Sequence, residues 1–71
     1  MPVVVREPGI ELGAFLKLAR AVATGGEAKR LVQAGRVAVN GVRETRRHRR
    51  LAAGDVVQLA DGRAYRVAGP S

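Results

Sequence analysis

A chain of 71 residues with 46% hydrophobic and 27% charged side chains is long enough for one small domain and too short for two. At this length about 60% of the unfolded surface can be buried, and with no cysteine there is neither a disulfide framework nor a thiolate metal site to reinforce it. Lys29, Arg30, Arg36, Arg43, Arg46, Arg47, Arg49 and Arg50 face only Glu44 between positions 29 and 50, so that stretch alone carries the net charge of +7. Charge concentrated in this way builds a positive potential suited to a polyanion, whereas charge kept only for solubility scatters.

In chain order, Val3-Val4-Val5 favours an extended strand, ended by Glu7-Pro8-Gly9. Leu12, Phe15, Leu16 and Ala19 recur at helical spacing, predicting an amphipathic helix from Ile10 or Glu11 to about Arg20, with Glu11 favouring its start. Phe15 is the only Phe and reads as core. Ala21-Val22-Ala23 then links this helix to a second one. Thr24 and Glu27 stand in capping-box relation at its start, Ala28, Leu31 and Val32 form its apolar face, and Lys29, Gln33 and Arg36 form a polar line. Gly35 suits the left-handed residue that closes a helix, and Asn40-Gly41 between Val39 and Val42 is a strong hairpin signal.

The segment 44–50 is too charged for a buried strand and is expected to project into solvent. Val56–Ala60 and Ala64–Val67 predict a second strand pair around Asp61-Gly62. A two-residue loop there would set Gln58 opposite Tyr65, and a slip of one residue would exchange the faces. The tail Gly69-Pro70-Ser71 is expected to fray. These periodicities predict an α+β domain that buries Leu12, Phe15, Leu16, Leu31, Val32, Val37 and Val39 together.

Catalysis is not expected, since the chain has one His, no Cys and six carboxylates that fall mostly in caps and turns. A lone imidazole cannot close a metal shell, so no metal or cofactor is expected. His48 is open to two readings, an exposed loop residue or a neutral ring that stacks on a base. An aromatic content of 3% argues against single-strand binding along rows of stacked bases. Arginine-rich surfaces instead suit phosphate, and structured RNA is recognised largely through phosphates and 2′-hydroxyls. The second helix is short for reading a DNA major groove.

Glu27-Ala-Lys-Arg-Leu-Val followed by Gly35, Val37, Val39-Asn40-Gly41 and Gly54-Asp55-x-Val57 resembles the RNA-binding domain named after ribosomal small-subunit protein four. Phe15-Leu16-Lys17-Leu18, Thr24-Gly25-Gly26-Glu27-Ala28-Lys29 and Arg43-Glu44-Thr45-Arg46-Arg47 are more similar still to its small stand-alone bacterial members. The likeness covers about residues 10 to 58 of a single domain spanning 1–71. It implies an αL-type α+β fold, two short helices packed on a small antiparallel sheet, with RNA across the second helix and the adjoining hairpin. The RNA-binding residues expected are Lys17, Lys29, Arg30, Arg36, Arg43, Arg46, Arg47, Arg49 and Arg50. Glu11, Gly13 and Gly25 depart from the broader family, which often has Arg, Asp and Arg there, and agree with the stand-alone members. The resemblance implies a free module that holds structured RNA, ribosomal RNA among the candidates, and a monomer is expected; apolar runs far below the roughly 20 residues of a membrane span make a cytoplasmic location without membrane contact the expectation. An adaptor docking on an acidic protein, or an accessory subunit of an RNA-modifying enzyme, is the alternative.

Overall fold

The computed structural model describes residues 2–4 and 9–68. Strand β1 (Pro2–Val4) precedes helices α1 (Leu12–Leu18) and α2 (Gly25–Gln33), followed by β2 (Val37–Val39), β3 (Val42–Arg43), β4 (Val56–Leu59) and β5 (Ala64–Ala68). The sheet order is β1-β5-β4-β2-β3. Four strands pair antiparallel, as expected, and the expected N-terminal strand joins the edge of the sheet as β1, parallel to β5, with Val3 beside Val67. Parallel neighbours need a long crossover, and here it is the rest of the domain. The expected break at Glu7-Pro8 and the tail Gly69–Ser71 lie outside the described residues.

The helix α1 is shorter than its periodicity suggests. It stops at Leu18 because Arg20 takes a left-handed conformation (φ 58), which lets the N–H of Ala21 donate to the Leu16 carbonyl at 2.9 Å. Helix α2 follows its signals at both ends, although only the threonine half of the capping box forms among the described residues. The Thr24 hydroxyl accepts from the Glu27 N–H at 3.1 Å. At the other end Gly35 (φ 74) lets its own N–H donate to Val32 and that of Arg36 donate to Leu31, the Schellman closure.

Beyond α2, Asn40 (φ 53) and Gly41 (φ 82) make the predicted tight turn, with Val39 opposite Val42. The β4–β5 loop is Ala60-Asp61-Gly62, closed by the Leu59 N–H donating to the Arg63 carbonyl at 2.8 Å. The longer loop shifts the register by one residue from the two-residue expectation, setting Val57 opposite Tyr65 and Gln58 opposite Ala64. Val57, Leu59, Tyr65 and Val67 thereby all face inward.

The core joins Leu12, Phe15, Leu16, Val22, Ala28 and Val32 of the helical side to Val37, Val39, Leu51 and the inward β4 and β5 residues. Leu31 is the exception among the predicted core residues, being only partly buried. Ala28 and Val32 already define the inward stripe of α2, and Leu31 lies about 100° round the helix from Val32.

Candidate nucleic-acid interface

The basic segment after β3 does not project freely into solvent, as its charge suggested. Its backbone carbonyls cap α1, with the Leu12 N–H donating to Arg49 at 2.8 Å and the Gly13 N–H to Arg47 at 2.9 Å. The first N–H groups of a helix have no partner within the helix, so this loop satisfies donors that would otherwise need water or a side chain. Leu51 seals the far end, where its N–H donates to Ile10 at 2.8 Å and its side chain joins the core.

Glu44 organises the inside of the loop. Among the described residues it is the only buried charged side chain, 6% exposed. Its Oε2 accepts from the backbone N–H groups of Thr45 and Arg46 and from Arg46 Nε, all at 3.1 Å, and its Oε1 from Arg49 Nη1 at 3.2 Å. The Arg46 side-chain hydrogen bond, helped by its backbone N–H and by Arg49, overcomes the effect of burial and brings the Glu44 carboxyl down to about 2. Arg46 remains 78% exposed at the side chain despite this bond, so its outer edge is open to a ligand.

A second set of contacts crosses to α1. Arg47 Nε donates to His48 Nε2 at 3.1 Å, and His48 Nδ1 lies 3.0 Å from Glu11 Oε1. An arginine Nε–H can only donate, so Nε2 is the acceptor in that contact, which leaves Nδ1 to face Glu11. The His48–Glu11 hydrogen bond holds the Glu11 carboxyl below its ordinary value. Arg50 Nη1 donates to the Gly9 carbonyl at 3.1 Å, so this cation too is anchored.

Between α2 and the loop lies an open cleft of about 760 Å³ lined by Lys29, Gln33, Thr45, Arg46, Arg47, His48, Arg49 and Arg50. Five cations and no carboxylate line it, and the two carboxylates nearby are hydrogen-bonded, Glu44 to Arg46 and Arg49 and Glu11 to His48. Gln33, Thr45 and His48 were not among the expected site residues. The alignment of Gln33 with Lys29 along the helix pointed to this side of α2, and the base-stacking reading of His48 to this loop.

The other expected residues lie elsewhere. Arg30 and Arg36 line a depression of about 360 Å³ on the opposite side of α2, together with Arg63. The left-handed turn at Gly35 sends Arg36 away from the Lys29–Gln33 line that sequence spacing suggested. The Arg43 side chain packs over Gly35, its Cδ 3.1 Å from where a Cβ there would stand, and shares a sheet-side hollow with Arg36. Lys17 is exposed in the last turn of α1 and lines none of these clefts. The expected single basic face is therefore at least two faces divided by α2.

An α+β domain of this size, with a basic cleft between a short helix and a pinned loop, has the build of a polyanion-holding module. The chain belongs to the S4 domain family, whose model matches residues 3–68. It is 38% identical over 66 residues to the probable ribosome maturation protein RlbA of Bacillus subtilis (strain 168), a match covering 93% of each chain. It also resembles the solution structure of YbcJ from E. coli, described as revealing an αL motif involved in RNA binding. The TM-score is 0.73 at 32% sequence identity, covering 94% of this chain and 85% of that one.

Proposed function

We propose that the protein is a non-catalytic RNA-binding module that holds structured RNA, ribosomal RNA being the first candidate, in the cleft between α2 and loop 44–50. The observation that carries this reading is the cleft lining, where Lys29, Arg46, Arg47, Arg49 and Arg50 converge with no carboxylate among them. Membership of the S4 domain family, the RNA-binding motif of YbcJ and the ribosome-maturation role named for RlbA support it. Arg30, Arg36, Arg43 and Lys17 are assigned a secondary role, meeting more distant phosphates on either side of α2. On this reading the module acts as a monomer in the cytoplasm, where ribosomal RNA would be met.

Backbone contacts of this kind release condensed counterions. Affinity for a structured RNA should therefore fall with salt, with a log–log slope of about −2 to −4.5 for three to five phosphates at roughly 0.7–0.9 each. Binding that does not change between low and physiological salt would refute the reading. Cross-linking in cells, followed by sequencing of the attached RNA, names the target. Purified protein that carries no nucleic acid at low salt, and instead retains an acidic protein, would favour the adaptor alternative.

A further inference from the structure

Within the cleft, the His48 ring is held at both nitrogens. Nε2 accepts from Arg47 Nε at 3.1 Å and Nδ1 donates to Glu11 Oε1 at 3.0 Å, yet 67% of the side chain remains exposed. With both polar atoms engaged, the surface left to solvent is mainly the faces and carbon edges of the ring. An ordinary surface histidine rotates freely, so a ring fixed from two sides has already lost the orientational freedom that stacking would otherwise remove. The other two aromatic side chains cannot serve, since Phe15 is fully buried and Tyr65 is 7% exposed.

The same contacts prepare Arg47. Only its Nε is engaged, and its two terminal nitrogens have no protein partner among the described residues. Those nitrogens form the fork that binds two phosphate oxygens. A flat ring stands beside a free guanidinium fork, in a cleft whose volume of about 760 Å³ is within the size range of sites that enclose a small ligand. Gln33 and Thr45 on the same lining offer neutral donors and acceptors for the edge of a base or a 2′-hydroxyl.

We propose that the cleft accepts one unpaired nucleotide of the bound RNA, its base stacked on His48 and its phosphate on Arg47, with Glu11 as the positioning residue. This rests on the RNA-binding reading above and adds to it a preference for RNA that carries an extruded nucleotide over fully paired RNA. Paired bases cannot leave the stack without losing their own stacking and pairing, whereas a bulged base can.

The test uses the full chain and two RNA hairpins of equal length, one with a single unpaired 2-aminopurine in the stem and one fully paired. The parent should bind the bulged hairpin about tenfold more tightly, with loss of 2-aminopurine fluorescence on binding. His48→Ala should abolish the preference and the fluorescence change, losing about tenfold on the bulged hairpin and much less on the paired one. His48→Phe, which keeps an aromatic face, should retain both. Equal affinity of the parent for the two hairpins would overturn the nucleotide site and leave RNA binding standing. So would equal losses on both hairpins in His48→Ala, or a His48→Phe protein that behaves like His48→Ala. Failure to bind either hairpin at low salt would overturn the RNA reading and this site together.

Discussion

The N–H of Gly13 donates to the carbonyl of Arg47 at 2.9 Å, so the second residue of α1 and the middle of the basic loop are joined through backbone alone. A Cβ at position 13 would meet the Arg47 carbonyl oxygen at 3.5 Å and the Arg47 Cβ at 3.6 Å, ordinary contact distances. Alanine therefore fits, and anything larger meets the loop. Gly13→Ala should raise stability by about 0.4–1 kcal/mol by restricting the unfolded chain. Gly13→Leu should displace the loop and weaken RNA binding without removing a cation. Denaturant titration and an RNA affinity measurement on both variants check this, and a Gly13→Leu protein that binds like the parent would mean that the loop's position is unimportant.

Glu44 makes the loop sensitive to acid. Its carboxyl is held at about 2 in the folded chain, chiefly by Arg46, and lies near 4.3 when unfolded. A depressed carboxylate contributes stability that is complete above its unfolded value and disappears as pH falls through its folded one. The contribution is thus constant at neutral pH and declines from about pH 4.5 toward pH 2. Glu44→Gln keeps the shape and removes the charge, so it should cost about 1–3 kcal/mol at pH 7. Its melting temperature should also fall less than that of the parent over the acid range. Parallel acid profiles for the two proteins would show that the loop does not depend on this charge.

The parts of the fold that were legible in the sequence are those fixed by neighbours in the chain. Thr24 capping Glu27, Gly35 closing α2 and Asn40-Gly41 turning the hairpin each depend on a few consecutive residues, and each forms. Features set by distant segments were not legible. Nothing in local spacing shows that Asn40 Nδ2 reaches Asp55 Oδ1 at 3.0 Å while Asn40 Oδ1 accepts from the Val56 N–H at 2.9 Å. These bonds fasten the hairpin turn to the start of β4. The site divides in the same way. The charge block from Lys29 to Arg50 marked the right third of the chain, but the partition of its cations by α2 depends on the turn at Gly35 and on Glu44 gathering Arg46 and Arg49. A lone acid inside a basic run was the one available signal of that internal anchor.

Arg20 is the position where local chemistry and structure conflict. It closes α1 in a left-handed conformation (φ 58) without being glycine. That conformation costs an L-residue about 1–2 kcal/mol, against the roughly 0.5–1 kcal/mol by which glycine's greater unfolded freedom works the other way. Arg20→Gly should therefore stabilise the domain by about 0.5–1 kcal/mol. Arg20→Ala, which keeps the Cβ, should not. Equal melting temperatures for the two variants would show that the closure carries no strain.

The position of the RNA site is tested by two equal charge losses made around one helix. Lys29→Ala/Arg47→Ala removes two cations from the cleft, and Arg30→Ala/Arg36→Ala removes two from the depression on the other side of α2. A response to total charge alone would weaken binding alike in both. The cleft reading gives a different result, because Lys29 and Arg47 would sit against phosphates while Arg30 and Arg36 would act from a distance through screening salt. The first double should lose far more affinity and flatten the salt slope by about one to two units, one released counterion for each lost phosphate contact. Arg30 and Arg36 are exposed, so that double should melt like the parent, while Arg47 is half-buried with one side-chain contact to His48, so the cleft double should lose no more than about 1 kcal/mol. If the Arg30/Arg36 double loses as much affinity as the Lys29/Arg47 double at one salt concentration, with both proteins folded, RNA is not held in the cleft.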